Sequence, residues 1–380
     1  LEVSKSQLLW PIERLLLAAQ ITQEQAGQLL LSRQTETATP LLNQAIELLT
    51  QAKQIARSHP EVYKQLCQIE SQLLQLEKNQ DLTTIKSCDD FTSILPQTPA
   101  AILVAADAYA QLAKLWLDQG QTPDQLLNQS RYLLEHPWHT ESNDHYAHAE
   151  QIKGDLLGIE GKWHLYSNQE FIHNFKQAIK HHQQAVDKQP NSYSAQLKLA
   201  TAWYNLATNA QYSSDHTDHD FIEATKLLTQ LTQHADSTQF LPVFIVRVLT
   251  DHAYIRYQNG LSADHQLTEA EQWVRQSQTD FPESLYAQLA TATLYWTYSD
   301  YLALQGKNPQ PYLEQAIAAF DQVITIEPSL WTNRYNQISA MLSGVTYYLE
   351  QGTSQTSQLQ TIKSKLEILE TLISSSINLD

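Results

Sequence analysis

Four alanines, Ala178, Ala224, Ala270 and Ala316, stand 46 residues apart, and each opens the same apolar stripe. Four residues on come His182, Leu228, Val274 and Phe320; seven on come Ala185, Leu231, Ser277 and Val323. Offsets of 0, 4 and 7 lie on one face of a helix. Twelve residues after the alanines stand Pro190, Asp236, Pro282 and Pro328, and proline stops a helix. The register runs on through Ile362, Leu366 and Leu369, where the closing proline is missing.

A second column keeps the same cadence. Gly260, Gly306 and Gly352 are 46 apart, and counting backwards reaches Ser214 and Asn168. Gly120 lies 48 before Asn168, as an earlier unit with a small insertion would place it. Gly and Asn tolerate the left-handed conformation just past a helix end. Each unit therefore reads as a long first helix ending near this column, a short loop, and a second helix ending near the proline column. The first helices share a large apolar column, Trp203, Leu249, Tyr295 and Met341. Beside it Ala202, Val248, Leu294 and Ala340 alternate small and large. Helix pairs of this kind bury their apolar faces only by stacking on neighbours.

The front of the chain is less regular. Thr39 reads as an N-cap with Pro40 at the first helical position, opening a helix to about Arg57. Its Gln44-Ala45-Ile46 echoes Gln315-Ala316-Ile317, with Leu49 and Ala52 at the same offsets of 4 and 7. After Pro60, Val62, Leu66, Ile69, Leu73 and Leu76 form a narrow seam suited to one neighbour. Periodicity lapses between about Asp81 and Pro99. The expected organisation is a divergent helical cap over 1–80, a link over 81–99, and an array of about six helix pairs over 100–380.

Composition agrees with an all-α chain. Only 9 Gly and 13 Pro occur in 380 residues, too few for the turns of sheet-rich folds. The fold class this defines is a right-handed α-solenoid of stacked antiparallel helix pairs.

Ala, a large apolar residue, a small residue and Pro at 0, 4, 7 and 12 resemble the second-helix signature of the tetratricopeptide repeat. Ala316, Phe320, Val323 and Pro328 match it best. That family repeats every 34 residues. The 12 extra residues of each 46-residue unit here amount to about three helical turns, mostly in the first helix and its loop. Lengthened units with joints like Gln305-Gly306 to Ile317 look like the tails of some bacterial Ser/Thr protein kinases. Ile21 to Pro60 likewise resembles the helical segment preceding such repeats. The resemblance implies a scaffold that binds peptides or proteins.

Charge narrows the partner. With 24 Lys+Arg against 41 Asp+Glu the net charge is −17, which repels phosphate backbones and anionic lipid. A basic or apolar polypeptide is the expected partner, with nucleic acid and membrane insertion not expected. Two cysteines, Cys67 and Cys88, leave a single bridge open and exclude a disulfide framework. No apolar run approaches a membrane span and no export leader precedes Leu1; as the chain starts at Leu and not Met, a fragment or processed product is expected. The compartment expected is the bacterial cytoplasm, or the periplasm should a membrane span precede the chain.

Catalytic motifs are missing: no phosphate-cradling loop, no kinase HRD or DFG element, no GxSxG elbow, no HExxH helix. The chain is therefore read as non-catalytic, without a cofactor, any catalytic domain lying upstream. Histidine clusters in two places, His136, His139, His145 and His148, and His216 and His219 among Asp215, Asp218 and Asp220. Both fall at inter-helix loops and read as cap and turn residues; metal binding is the remote alternative, and no metal ligand is assigned.

The aromatics offer the candidate binding residues. Tyr204, Thr250, Trp296 and Leu342 vary along one first-helix column, and Asn209, Ile255, Tyr301 and Tyr347 along another. Variation at a repeated position suits a surface, so Tyr204, Trp296, Tyr298, Tyr301 and Tyr347 are candidates for contacting a partner, with Arg247, Arg256 and Arg334 for its carboxylates. Packing between lengthened neighbouring helices is the favoured alternative for the aromatic columns. Function thus reads as a protein- or peptide-binding scaffold. Self-assembly into a homo-oligomer, organising a larger complex, is the second reading.

Overall fold

A computed structural model describes residues 11–31, 35–57, 59–76, 86–94, 98–138, 141–210, 218–234, 240–282, 284–328 and 331–377. Among these every regular element is an α-helix. The chain divides into two compact units, Leu1–Ala195 and Gln196–Asp380.

Unit 1 begins with α1 (Pro11–Leu31), α2 (Thr35–Ile55), α3 (Pro60–Leu76) and α4 (Lys86–Ile94). Two pairs follow, α5 (Pro99–Asp118) with α6 (Asp124–Leu133) and α7 (Asn143–Tyr166) with α8 (Ile172–Lys188). The echo of the repeat at Ala45, Leu49 and Ala52 is buried to zero exposure, as are Val62 and Ile69 of the α3 seam. One boundary differs from the sequence reading. α2 starts at Thr35, so Thr39 is not its cap and Pro40 lies inside it. Ala38 is fully buried in the α1–α3 core, which draws the helix upstream, and a proline this early removes only one ladder bond.

The stretch expected to be a link holds α4. A disulfide joins Cys67 of α3 to Cys88, both sulfurs fully buried in the core built around α5. Around it Asp89 accepts a hydrogen bond from the Tyr109 hydroxyl, Lys53 pairs with Asp90 at 3.3 Å, and Ser87 N–H donates to Glu70. By length and composition α5 could cross a membrane; here it is the central core helix of its unit.

α7 and α8 approach closely because α7 presents glycine. An added Cβ at Gly154 would stand 2.5 Å from His182 Nε2, and one at Gly161 would stand 3.1 Å from the Phe175 ring. Next to this seam the buried Glu150 accepts from Lys153 at 2.8 Å and bonds to His181 at 2.6 Å. Burial pushes its carboxyl up, but the bonds from His181 and Lys153 outweigh this and hold it below the usual range.

Unit 2 repeats the pair: α9 (Tyr193–Ala210) and α10 (Asp218–Leu231), α11 (Phe240–Gln258) and α12 (Asp264–Asp280), α13 (Leu285–Leu304) and α14 (Gln310–Ile326), α15 (Trp331–Glu350) and α16 (Thr356–Ile377). Ala224, Ala270 and Ala316 are fully buried, and Ala178 of unit 1 nearly so. Pro190, Pro282 and Pro328 each follow the end of a second helix by two residues. Gly120, Asn168, Gly260, Gly306 and Gly352 take positive φ, from 55° to 76°. At each, the next residue's N–H reaches back over the turn, as Leu261 does to Arg256 at 2.9 Å and Lys307 to Leu302 at 2.9 Å. This is the Schellman stop that the glycine column implies. Ser214 lies outside the described residues. The chain is thus an all-α protein of tetratricopeptide-like helix pairs, stacked within each unit as in an α-solenoid.

A polar first-helix face as candidate functional site

α11, α13 and α15 each pack against their own second helix and at least one neighbouring first helix, so little of their circumference is left open. On α11 one open stripe runs through Arg247, Asp251, Tyr254 and Gln258, spaced 4, 3 and 4 apart; Phe240, 44% exposed, and the half-buried Pro242 and Arg256 are also open. Moving by 46 residues carries its first three positions to Thr201, Asn205 and Thr208 on α9, Thr293, Thr297 and Asp300 on α13, and Ser339, Ser343 and Thr346 on α15, while the fourth falls on Leu304, 64% exposed, and Glu350. All are exposed or half-buried. These first three positions of the stripe are polar in every helix.

Its hydroxyls share one geometry. Thr201 donates to Leu197 O at 2.8 Å and Thr208 to Tyr204 O at 2.9 Å. On α13 Thr293 donates to Leu289 O and Thr297 to Thr293 O, both at 2.9 Å. On α15 Ser339 donates to Tyr335 O at 3.0 Å and Thr346 to Leu342 O at 2.9 Å. Each proton is committed to the carbonyl one turn back, so each oxygen is left with acceptor lone pairs. Two carboxylates stand among these acceptors. Tyr204 donates to Asp251 at 2.5 Å, and Arg247 Nε donates to the Tyr204 hydroxyl at 2.9 Å. Burial pushes the Asp251 carboxyl up, only partly offset by Tyr204 and Arg247. Asp300 is pushed up to about 6 by burial, with a hydrogen bond from Ser343 opposing.

An acid held above its ordinary value is stable in the fold as the neutral form. The penalty is absent below the unfolded value of 3.8 and fully present above about 6, so stability declines as pH rises across that window. Asp300→Asn is expected to raise stability by about 1 kcal/mol near pH 7.5, after discounting for solvent screening at a half-buried site. Urea denaturation should show the gain vanish near pH 4, where wild-type Asp300 is itself protonated.

The aromatic candidates sit beside this stripe. Tyr301 is 5% exposed, tilted against Tyr257, and its hydroxyl accepts from Ala263 N–H at 3.3 Å. It faces the neighbouring pair and not solvent, as do Thr250 and Ile255 of the two columns. Tyr298 stacks on Tyr312 at 4.7 Å, and Tyr347 meets Tyr348 edge-on at 5.2 Å. Trp296 is half-buried against Phe320, its indole N–H without a partner among the described residues, and the same holds for Arg334 Nε. Tyr204 and Arg247 join the stripe. Arg256 is tied to Asp218 and to Ser262 O, with His252 also bonded to Asp218 at 2.9 Å. Asp251, Tyr254, Asp300 and the hydroxyls were not singled out from the sequence. The 46-residue recurrence of Thr201, Arg247, Thr293 and Ser339 carried that signal.

In the first histidine cluster His136 and His145 both flank Glu141, His145 at 3.9 Å. Asp218 is engaged as above, His219 packs edge-on against Trp203, and Asp220 is buried. His136 bonds to Glu141 at 2.9 Å, while His139, Asp215 and His216 lie outside the described residues. Among the described residues no three His, Cys, Asp or Glu side chains converge as metal ligands would.

No protein-family model matches the chain, and no curated protein matches it. Solved structures similar to it include human IFIT1 as a dimer with PPP-AAAA, at 13% identity and TM-score 0.43, covering 94% of this chain and 70% of that one. The human IFIT1 dimer with m7Gppp-AAAA is similar at 11% identity and TM-score 0.44, covering 88% and 68%. A signal-transduction ATPase of the STAND type with a tetratricopeptide repeat sensor, from Pyrococcus horikoshii, gives 14% identity and TM-score 0.43, covering 90% of this chain. The chain spans about half, 46%, of that protein's length.

Proposed function

We propose that this chain is a non-catalytic scaffold whose first-helix face in unit 2 binds a basic polypeptide segment. The observation that carries the reading is the acceptor-rich stretch of the stripe. Most of its hydroxyl protons are turned into their own helices, Ser343 also bonds to Asp300, and Asp251 and Asp300 stand among them, with Arg247 as a cation of the stripe. Lysine and arginine side chains supply donors to these acceptors and charge to the two carboxylates. An incoming cation also relieves two carboxylates that burial holds above their usual range, so binding near pH 6 should release protons. A phosphate backbone would meet acceptors and a net charge of −17.

In that role the scaffold would serve as the regulatory arm of a bacterial signalling kinase, the placement that its repeat joints resemble. Of the two compartments open to it, the buried Cys67–Cys88 bridge favours the oxidising one, outside the cytoplasm.

Fluorescence anisotropy with labelled Lys/Arg-rich and Glu-rich peptides of equal length, and with single-stranded RNA, tests the partner class. The basic peptide should bind at least about tenfold tighter than either, and weaken as salt rises. Preference for the RNA or for the acidic peptide would overturn the reading.

A further inference from the structure

Between α13 and α14 runs an apolar groove that seats the next first helix. Leu289 and Trp296 of α13 line it with Leu313 and Phe320 of α14, and Ala340 of α15 packs into it. α15 comes so close that a Cβ at Gly344 would overlap the Leu313 side chain. Phe320 is fully buried as a result, and Leu313 nearly so. Adding 46 carries the four wall positions to Tyr335 and Leu342 of α15 and to Leu359 and Leu366 of α16. The groove there is again apolar, yet these four side chains stand from 39% to 55% exposed. α15 and α16 join each other through different residues, the buried Ile338, Val345, Ile362 and Leu369. A second seat for a helix is thus built at this end of unit 2, and among the described residues no element fills it.

One wall carries charges that select the occupant. The open stripe of α16 reads Leu359, Lys363, Leu366 and Glu370, spaced 4, 3 and 4, and all four are exposed. Among the described residues neither Lys363 nor Glu370 forms an ion pair. The cation precedes Leu366 and the anion follows it, each about 5 Å away along the helix. A second α16 laid antiparallel and crossing at Leu366 sets Lys363 of each copy against Glu370 of the other. Parallel pairing in register would set like charges together. The net charge of −17 on each chain opposes association at long range. Apolar burial in the groove therefore carries the affinity, and the two ion pairs fix the direction.

We propose that the chain forms a two-fold dimer in which α15 and α16 pack on α15 and α16 of a second copy, antiparallel across Leu366. Each copy supplies the helix that the other's groove seats, so the contact closes on itself. It requires nothing of the polar stripe or its peptide.

Light scattering and sedimentation of the whole chain test it. The particle should have twice the chain mass at about 100 µM. Leu366→Glu, at an exposed position, should weaken dimerisation at least about a hundredfold with helix content unchanged. Lys363→Glu and Glu370→Lys should each weaken it at least about tenfold, since each sets like charges across the axis. Mixed together, these two single variants should pair with each other, and the double exchange Lys363→Glu/Glu370→Lys should restore the dimer. Loss of folding cannot mimic that rescue. Asp251→Asn/Asp300→Asn should dimerise as wild type does, which separates failure here from failure of the stripe. A chain that stays monomeric at about 100 µM leaves the groove to a different partner and overturns the proposal. An open-ended polymer, a wild-type dimer in Leu366→Glu, or no pairing in the mixture of charge variants overturns it as well.

Discussion

Gly154→Ala is expected to destabilise unit 1 by about 2–3 kcal/mol, while Gly158→Ala, one turn along the same helix, should stabilise it by about 0.5–1 kcal/mol. Both replacements give α7 a better helix former, so propensity alone predicts a gain at each. Surroundings separate them. A Cβ at Gly158 meets nothing within 4 Å, whereas one at Gly154 would stand 2.5, 2.6 and 2.8 Å from three atoms of the His182 ring. His182 is 3% exposed and sits in the buried column of α8, so the ring has little room to withdraw. Either the helices part or the imidazole leaves its rotamer, and both lose packing. Chemical denaturation of the two variants against wild type checks the sign at each position. A gain at Gly154 would mean that α7 and α8 do not approach as described.

Replacing Cys67 and Cys88 together by serine should cost unit 1 about 3 kcal/mol. The bridge closes a loop of 21 residues, and releasing a loop of that length returns about this much entropy to the unfolded chain. Serine adds to the loss, because both positions are fully buried among apolar residues of the α5 core. α4 depends on the bridge more than its neighbours do, since it is nine residues long and too short to persist alone. Hydrogen exchange should therefore quicken first in residues 86–94, with unit 2 unaffected. Equal exchange in α4 with and without the bridge would contradict this.

The repeat was legible because two of its columns answer to backbone and burial alone. A left-handed residue past a helix end favours glycine or asparagine, and Gly120, Asn168, Gly260, Gly306 and Gly352 all occupy that conformation. A second helix pressed on its partner needs a small residue at closest approach, and Ala224, Ala270 and Ala316 fill it. The faces of the first helices were harder to read. Covered on several sides, α11 and α13 bury polar and apolar residues together, so hydrophobicity no longer marks inside from outside. Thr250 and Ser299 are buried while Tyr254 is 46% exposed. Tyr301 packs against Tyr257 although its column varies in sequence as a surface would. The column Ala202, Val248, Leu294 and Ala340 is buried throughout, whereas Trp203, Tyr295 and Met341 are only half-buried. Asp251 and Asp300 escaped because each is a lone acid in its column, Asp251 beside Asn205, Thr297 and Ser343 and Asp300 beside Thr208, Tyr254 and Thr346. α4 escaped because much of what fixes it, Cys67, Glu70, Tyr109 and Lys53, lies outside its own sequence.

The central claim is that the polar stripe of unit 2 binds cations, and the double variant Asp251→Asn/Asp300→Asn tests it most directly. Calorimetric titration with the Lys/Arg-rich peptide should show affinity at least about tenfold weaker than wild type, with the proton release near pH 6 abolished. The variant itself should be folded and, through Asp300, more stable at neutral pH. Wild-type affinity together with undiminished proton release would contradict the account.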